Sequence, residues 1–351
     1  PSVVLGIVGG VSALGLEVLS QVSAEDLEDV HRIIRNQDYC DIQIIRTTAN
    51  LHVVVEGSLG TRRASVEILH RHTNIVRVML DDDIILDTGE TPECVRNVQT
   101  DRGILNVSQI LQFATECNLY DVAPLLRRQV DYNQRISEEG LAGDYGARIG
   151  RSTLQFYGTD IKNRARAAAA AASDARMGGS QLPVVVNSGS GNQGITVSLP
   201  IIVYAEHYGI SEDKMLRALI VSNLVAIHLK AKVGRLSAYC GAVSAACGSG
   251  AGITYMMGGS FDQVSSTINN TLGNISGIIC DGAKPSCAAK IASAVDAALV
   301  GHSLAMGNVS FQAGDGIVKS DIEQTIDAIS SIAVDGMEIT DEVVLRVITA
   351  S

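Results

Sequence analysis

The feature that most constrains the fold is an uncharged stretch, residues 236–261, composed mostly of glycine, alanine and serine. Such small side chains let helix backbones approach each other closely, so the stretch predicts a buried helix inside a helical core. The six alanines at 167–172 have the highest intrinsic helix propensity. With 34 glycines, no tryptophan and only 4 % aromatic residues, the chain is predicted to build its core from closely spaced helices.

The net charge and the cysteine content argue against several classes of function. Residues 236–261 are long enough to span a bilayer, but their weakly apolar residues favour a buried helix of a soluble protein. A net charge of -11 argues against binding nucleic acid or anionic membranes. Seven cysteines in a long chain without a secretory signal indicate free thiols in a reducing compartment. We therefore expect a cytoplasmic protein with neither nucleic acid nor membrane as a partner.

The pattern of apolar residues changes once along the chain. After a short predicted helix at 25–35, residues 41–46, 51–56, 64–69 and 74–80 are rich in β-forming residues. From Asn106 onward the spacing is helical, with helices predicted at 107–116, 122–139, 160–172, 195–208, 212–231, 236–257, 261–274, 284–306, 319–334 and 339–349. The fold class predicted is α+β, with a small antiparallel β subdomain in residues 1–100 followed by an all-α domain in residues 101–351.

Three cysteines are candidate metal ligands. Cys240 is predicted to lie in a helix, and Cys280 and Cys287 flank the predicted start of another, around a turn containing Gly282 and Pro285. Thiolates in a mostly dry pocket are the ligands of iron–sulfur clusters. The spacing alone leaves a structural alternative open, in which these cysteines pack in the core as small apolar side chains, as free cysteines commonly do. Zinc is disfavoured, since no paired C-x-x-C or nearby histidine occurs.

A glycine-rich loop at residues 187–194 is a candidate anion site. Successive backbone N–H groups in such a loop can cradle a carboxylate or phosphate, with Ser188, Gly189, Ser190 and Asn192 as candidate substrate-binding residues. The alternative is a tight connection between helices. Arg176, just before a pair of glycines, is a candidate for pairing with a substrate carboxylate, although most arginines are simply solvated.

The motif His72-Thr73-Asn74 supplies candidate catalytic residues. His72 could act as a general base if a substrate came within hydrogen-bonding reach, and Asn74 would lie beside it. A lone histidine entering a strand more often has a structural role. A pyridoxal-phosphate lyase is a further alternative. Such an enzyme would require a buried lysine, and the sequence offers none in a context that predicts burial.

Taken together, these stretches resemble the iron–sulfur-dependent L-cysteine desulfidases, which are related more distantly to the iron–sulfur L-serine dehydratases. The resemblance covers nearly the whole chain. Its specific motifs are ASDARMGG at 172–179, NSGSGNQGIT at 187–196, AEH at 205–207, RLSA at 235–238 with Cys240, and ICDGA at 279–283 with Cys287. HTNIV at 72–76 and EGL at 139–141 add weaker support.

The resemblance implies that Cys240, Cys280 and Cys287 hold a [4Fe–4S] cluster with one iron free of protein ligand. That iron would act as a Lewis acid on a small L-amino acid. Loss of the α-proton and of the β-sulfur would leave aminoacrylate, which decays to pyruvate and ammonia. The 40-residue and 7-residue steps between these cysteines fit the desulfidase pattern better than that of the serine dehydratases. We also expect a homodimer.

One departure from the family pattern affects the expected activity. Members of the family begin with an additional segment that carries a Gly-Cys-Thr-Glu-Pro motif, whose cysteine is the proposed base. This sequence contains neither that motif nor the accompanying Asn- and Gly-rich stretch, and it joins the pattern near residues 6–19. The expectation is a cluster-dependent lyase acting on cysteine, with two alternatives: a serine dehydratase, or a non-catalytic relative that binds an amino acid.

Overall fold

The computed structural model describes residues 2–49, 51–92, 101–234 and 237–350. The chain divides into two compact units. The first comprises residues 1–99 together with 345–351, and the second comprises residues 100–344. A four-stranded antiparallel sheet in the first unit, followed by a long series of helices, confirms the α+β prediction.

The first unit begins with helices α1 (Ser2–Gly9) and α2 (Ala24–Ile33), with a 3-10 helix at Ser12–Glu17 between them and another at Gln37–Tyr39. Its sheet runs in the order β1 (His52–Leu59), β2 (Arg62–Leu69), β3 (Ile75–Leu80) and β4 (Asp83–Asp87). Each strand pairs with the next in sequence, so short turns suffice to connect them.

The sheet corrects two details of the sequence prediction. Residues 41–46 are exposed and form no strand, although their isoleucines favour β structure, because a strand also requires a hydrogen-bonded neighbour. The fourth strand is instead β4, in which Asp83 and Asp87 enclose three apolar residues. Aspartate is depleted in strands, which is why the residue types gave no indication of β4.

The second unit consists of helices. They are α3 (Val107–Glu116), α4 (Leu119–Ala142), α5 (Ile149–Tyr157), α6 (Ile161–Met177), α7 (Gly191–Tyr208), α8 (Glu212–Val233), α9 (Gly241–Met256), α10 (Phe261–Asn274), α11 (Cys287–Met306), α12 (Ile322–Ser331), a π-helical turn at Ile332–Gly336, and α13 (Glu338–Thr349), whose end belongs to the first unit. None of the described helices combines the length and the apolar character that crossing a membrane requires.

Small residues set the spacing of the central helices, as the sequence predicted. The six alanines of α6 are buried, and a Cβ added at Gly140 of α4 would overlap the carbonyl oxygen of Ala171. In α9, a Cβ at Gly252 would lie 2.7 Å from the carbonyl oxygen of Ala218 in α8. These backbones approach so closely that a methyl group cannot be inserted between them.

Candidate active site

Cys240 and Cys280 are held side by side by backbone pairing. The N–H of Cys240 donates to the carbonyl of Ile278 (2.8 Å), and the N–H of Cys280 donates to the carbonyl of Ala238 (2.6 Å). These bonds form an isolated antiparallel bridge between two extended segments. The structure thus brings together two of the three predicted cysteine ligands, which are 40 residues apart in the sequence.

The bridge also overturns the prediction that Cys240 lies within a helix. Helix α9 begins at Gly241, and Cys240 is the extended residue that precedes it. The predicted helix start at 236 lies outside the described residues, as does Arg235. A distant partner segment keeps residues 238–240 extended, and local helix propensity cannot reveal such a partner.

The two thiols influence each other's protonation. Hydrogen bonding with the Cys240 thiol lowers the pKa of the Cys280 thiol, and the N–H of Gly282 and the charges of Lys290 and Lys230 act in the same direction, while burial opposes the shift. The same hydrogen bond, together with burial, raises the pKa of Cys240. The pair therefore favours one thiolate stabilised by one thiol, in a setting with positive charge close by.

Cys287 is the first residue of α11. Its sulfur accepts the backbone N–H of Lys284 (3.5 Å) and lies 3.6 Å from the carbonyl oxygen of Gly282. Gly282 has a φ of 92°, a left-handed conformation that glycine adopts without steric cost. The predicted turn between Cys280 and Cys287 is thus present, but α11 begins at Cys287 rather than at residue 284, because residues 284–286 form a turn.

Lys290 and Lys230 place positive charge beside the thiol pair. Lys290 donates to the carbonyl of Ile279 (2.8 Å). Both Lys290 and Lys284 form ion pairs with Asp281. These two ammonium groups hold the pKa of Asp281 at about 2. Lys230 is only 4 % exposed, and burial lowers its pKa while the sulfurs of Cys280 and Cys240 oppose that shift.

The glycine-rich loop is a tight two-residue turn. Asn187 and Ser190 exchange backbone hydrogen bonds of 3.1 and 2.9 Å, and Ser188 and Gly189 between them have φ values of 50° and 83°. A positive φ at Ser188 is unusual for a residue other than glycine, and such backbone conformations cluster at functional sites. Within the described chain, the N–H groups of Ser188 and Gly189 have no protein acceptor, so they can donate to an anion.

The loop continues into the N-terminus of α7. Ser190 is the N-cap of this helix, and its hydroxyl accepts the N–H of Gln193 (3.4 Å). The first N–H groups of an α-helix point outward and carry partial positive charge, which favours binding of an anion there. The Arg176 guanidinium packs against Gly191 and donates to the side-chain carbonyl of Asn192 (3.3 Å).

The loop and the thiol pair adjoin each other through Gln193. A Cβ added at Gly241, the residue after Cys240, would lie 2.5 Å from the Cδ atom of Gln193. The amide of Gln193 is buried, and its Oε1 atom has no hydrogen-bond donor among the described residues. Burial lowers the pKa of Arg176, and the nearby Cys287 sulfur partly opposes that shift. The loop therefore adjoins the residue after Cys240, and Arg176 lies within electrostatic reach of Cys287.

The candidates His72 and Asn74 belong to the first unit. His72 is exposed in the turn between β2 and β3, rather than at the entrance of a strand. The side-chain amide of Asn74 donates to the carbonyl of Leu69 and to a carboxylate oxygen of Glu90, both at 3.0 Å. Asn74 therefore stabilises this hairpin, and its proposed catalytic role with His72 stays a prediction.

Comparison with known proteins identifies the family. Residues 13–346 match the model of the family described as serine dehydratase alpha chain. The chain belongs to this family. It is 48 % identical to a UPF0597 protein of Lachnoclostridium phytofermentans, over 98 % of this chain and 82 % of that protein, and 49 % identical to one of Treponema denticola, over 99 % of this chain and 81 % of that protein. A UPF0597 protein of Desulfitobacterium hafniense is 43 % identical over 97 % of this chain and 79 % of its own length.

Membership of the serine dehydratase alpha chain family raises the question of whether these cysteines suit an iron–sulfur cluster. Within the described parts of the chain, no three His, Cys, Asp or Glu side chains are placed to bind one metal ion. Cluster ligands differ from those of a single ion, because each thiolate binds a different iron and the ligands surround a larger object.

The donor set itself fits a cluster. Each of the three sulfurs faces a backbone N–H group, and hydrogen bonds of this kind to sulfur are among the features that tune iron–sulfur clusters. The donors are Ala242 for Cys240, Gly282 for Cys280 and Lys284 for Cys287. Positive charge from Lys230, Lys290 and Arg176 surrounds the same sulfurs, which suits a group that carries several thiolates.

Sequence reasoning missed two residues of this site. Gln193 lies inside the recognised loop motif, but nothing local indicates that its amide contacts the residue after Cys240. Lys230 gave no signal at all, because its burial depends on how the end of α8 packs against α9. The sequence offered no lysine in a context that predicts burial, whereas Lys230 is buried.

Proposed function

We propose that this chain is an iron–sulfur-dependent lyase that eliminates the β-substituent of a small L-amino acid. L-Cysteine is the favoured substrate, and L-serine is the alternative. The observation that carries the proposal is the contact of Gln193 with Gly241, because it joins an anion-binding loop to the thiol pair of Cys240 and Cys280. A substrate bound by the loop would have its reacting carbons next to the cysteines.

The loop and its neighbours provide complementary groups for both charged ends of an amino acid. The carboxylate would accept the N–H groups of Ser188 and Gly189 and the guanidinium of Arg176, which offers charge-assisted hydrogen bonds. Asn192 keeps Arg176 in place. The ammonium group would donate to Oε1 of Gln193, a buried acceptor that otherwise lacks a donor in the described chain. Two-point binding of this kind would fix the orientation of the β-carbon.

Cys240, Cys280 and Cys287 would hold the cluster. When bound, a cluster with three protein ligands supplies one iron whose open coordination position acts as a Lewis acid on the leaving group. Lys230 and Lys290 would offset the negative charge of the thiolates, and burial of Lys230 keeps its charge poorly screened by water. Ala242, Gly282 and Lys284 would donate their N–H groups to the ligand sulfurs.

The overall reaction is balanced without an added oxidant or reductant. L-Cysteine and water would give pyruvate, ammonia and hydrogen sulfide. L-Serine would give pyruvate and ammonia, because the water that leaves is recovered when the imine is hydrolysed. The spacing of the three cysteines favours the desulfidase reaction, and the matched family, described as serine dehydratase alpha chain, keeps L-serine as the alternative.

Pyruvate formation by anaerobically reconstituted protein tests the proposal. We expect L-cysteine to yield pyruvate and sulfide, and Cys240→Ser, Cys280→Ser and Cys287→Ser each to abolish both products. Cys117→Ser is the matched control, because Cys117 is also a half-buried free thiol but lies at the end of α3. Equal activity in all four variants would contradict the proposal.

The same preparation distinguishes a lyase from a non-catalytic relative that only binds an amino acid. If the cluster forms and L-cysteine or L-serine binds, but no pyruvate appears, the chain binds an amino acid without transforming it. Turnover is then measured with L-cysteine and L-serine in competition. The ratio of the two kcat/KM values decides which substrate is preferred.

A further inference from the structure

A cavity of about 180 Å³ lies between four helices of the second unit, away from the cysteines. Helices α4, α5, α6 and α7 all contribute to its walls. The lining includes Glu138, Arg164, Ala168, Leu199, Ile202 and Glu206. Along α7, Leu199 is eight residues from Gly191, which corresponds to about 12 Å of helix. The cavity is therefore separate from the proposed substrate site.

The cavity has an apolar floor and a charged rim. Ala168, Leu199 and Ile202 on the floor are buried, at 7 %, 1 % and 2 % exposure. Glu138 and Glu206 at the rim are exposed. Pockets that bind small molecules typically combine an apolar lining with a few polar groups that fix the orientation of the ligand. A ligand that fits here has an apolar body and at least one charged end.

The charged groups at the rim do not satisfy one another. Arg164 is half-buried, yet among the described residues its guanidinium forms no ion pair with Glu138, Glu206 or any other carboxylate. Glu206 instead accepts a hydrogen bond from the amide of Gln134 (2.6 Å). A half-buried arginine whose donors are unused, in a cavity that two carboxylates also line, can bind an anionic group of a ligand through charge-assisted hydrogen bonds.

The neighbouring cations of α6 behave differently. Lys162 and Arg166 flank Arg164 in the sequence, and both form ion pairs with Asp296, at 3.0 and 3.2 Å. A helix places residues two apart on different faces, so Arg164 alone of these three lines the cavity. Lys162 therefore offers a matched control, since it is a cation on the same helix turn outside the cavity.

We propose that this cavity binds a small apolar α-amino acid as a zwitterion. Its carboxylate would take the bidentate hydrogen bonds of Arg164, and its ammonium group would lie between the carboxylates of Glu138 and Glu206. Its aliphatic side chain would cover Leu199 and Ile202. A cavity of similar size holds a small apolar ligand such as benzene. The site goes beyond the proposed lyase function and needs neither cluster nor substrate.

Calorimetric titration of L-valine into the cluster-free chain tests the proposal. We expect saturable binding that Arg164→Gln weakens by about tenfold or more, the size of a lost charge-assisted hydrogen bond. Arg164→Lys should bind with intermediate affinity, and its thermal unfolding shows whether the fold is intact. Lys162→Gln should bind as the wild type does. Arg176→Gln, which disables the proposed substrate site, should also leave L-valine binding unchanged.

Two further probes identify the ligand class. Isobutylamine lacks the carboxylate and isobutyrate lacks the ammonium group, so we expect both to bind more weakly than L-valine. Equal affinity of L-valine for wild type and Arg164→Gln would overturn the proposal, as would equal affinity of isobutylamine and L-valine for the wild type. Loss of L-valine binding in Arg176→Gln would assign the signal to the substrate site instead. Failure of the lyase assay would leave these outcomes unaffected.

Discussion

Cys240 and Cys280 each donate a backbone N–H to the segment that carries the other, and their thiols interact directly. The two residues come from different parts of the helical unit, one just before α9 and one after α10. Backbone hydrogen bonds therefore set the positions of their sulfurs, rather than side-chain packing alone. A thiol pair held in this way is preorganised for a ligand, which would reduce the cost of assembling the proposed site.

Removal of the Lys230 charge should destabilise the cluster without destabilising the chain. We expect Lys230→Met to lose iron about tenfold faster, corresponding to a change of roughly 1.4 kcal/mol in the barrier, because a buried positive charge near Cys240 and Cys280 disappears. Burying an ammonium group is costly, so the cluster-free variant should melt no earlier than wild type. The decay of the visible cluster absorbance after adding a chelator measures the loss.

Lys232→Met is the control for this variant. Lys232 lies two positions further along α8 and forms an ion pair with Asp327. None of its hydrogen bonds or ion pairs to described residues involves a cysteine. Equal rates of iron loss in the two variants would show that Lys230 has no specific effect on the cluster.

Replacement of Arg176 should weaken binding of the substrate carboxylate. A hydrogen bond to a charged group contributes about 1.5–3 kcal/mol, so Arg176→Gln should raise KM by roughly tenfold to a hundredfold, with a smaller change in kcat. Steady-state kinetics of pyruvate formation give both constants. Arg127→Gln removes an exposed ion pair with Glu212 and should change neither. A change in kcat alone for Arg176→Gln would argue against a role in binding.

Gly140 should tolerate no side chain. A Cβ there would overlap the carbonyl oxygen of Ala171, so Gly140→Ala should lower the free energy of unfolding by about 1–3 kcal/mol. At Gly336 the nearest atom to an added Cβ is 4.0 Å away, so Gly336→Ala should have little effect. Denaturant titrations of the two variants compare them, and equal stability would show that α4 and α6 can separate at low cost.

Asp174 should make stability depend on pH. Its side chain is fully buried, and burial raises its pKa from the ordinary 3.8 to about 6, although the N–H groups of Gly150 and Ile149 partly oppose the shift. The folded chain therefore binds a proton more tightly than the unfolded chain. The contribution of Asp174 is greatest below about pH 4 and is lost as the pH rises through about 6.

The variant Asp174→Asn removes this titration. The difference in unfolding free energy, variant minus wild type, should rise between about pH 4 and pH 6 and then stay constant. Asp144→Asn, at an exposed position in the loop before α5, controls for removal of a surface charge. A difference that is flat across this range for Asp174→Asn would contradict the raised pKa.

Much of the fold could be predicted because its signals are local. The six alanines correctly located α6, although this helix continues to Met177 beyond the predicted end at residue 172, and β-forming runs located β2 and β3. Residues 41–46 and β4 were misjudged because pairing with a neighbour, rather than composition, decides whether a segment becomes a strand. The helix containing Cys240 was misplaced for the same reason, since its bridge partner is distant in sequence.

The candidate site was predictable only in part. Ser188, Gly189 and Arg176 belong to motifs whose residue types point to anion binding, and Cys240 and Cys280 share a recognisable pattern. Burial of Lys230 and the contact of Gln193 with Gly241 depend on how helices pack, and residue types alone do not reveal such contacts. The roles assigned to His72 and Asn74 rest on their motif, and the structure adds only the hairpin contacts of Asn74.

The most direct test of the central claim is the iron and sulfide content of anaerobically reconstituted protein. We predict about four iron and four sulfide per chain, the content of a [4Fe–4S] cluster, and substantially less in Cys240→Ser, Cys280→Ser and Cys287→Ser but not in Cys117→Ser. Iron that stays well below one atom per chain in the wild type, or a content unchanged by all three substitutions, would contradict the assignment of these cysteines as cluster ligands.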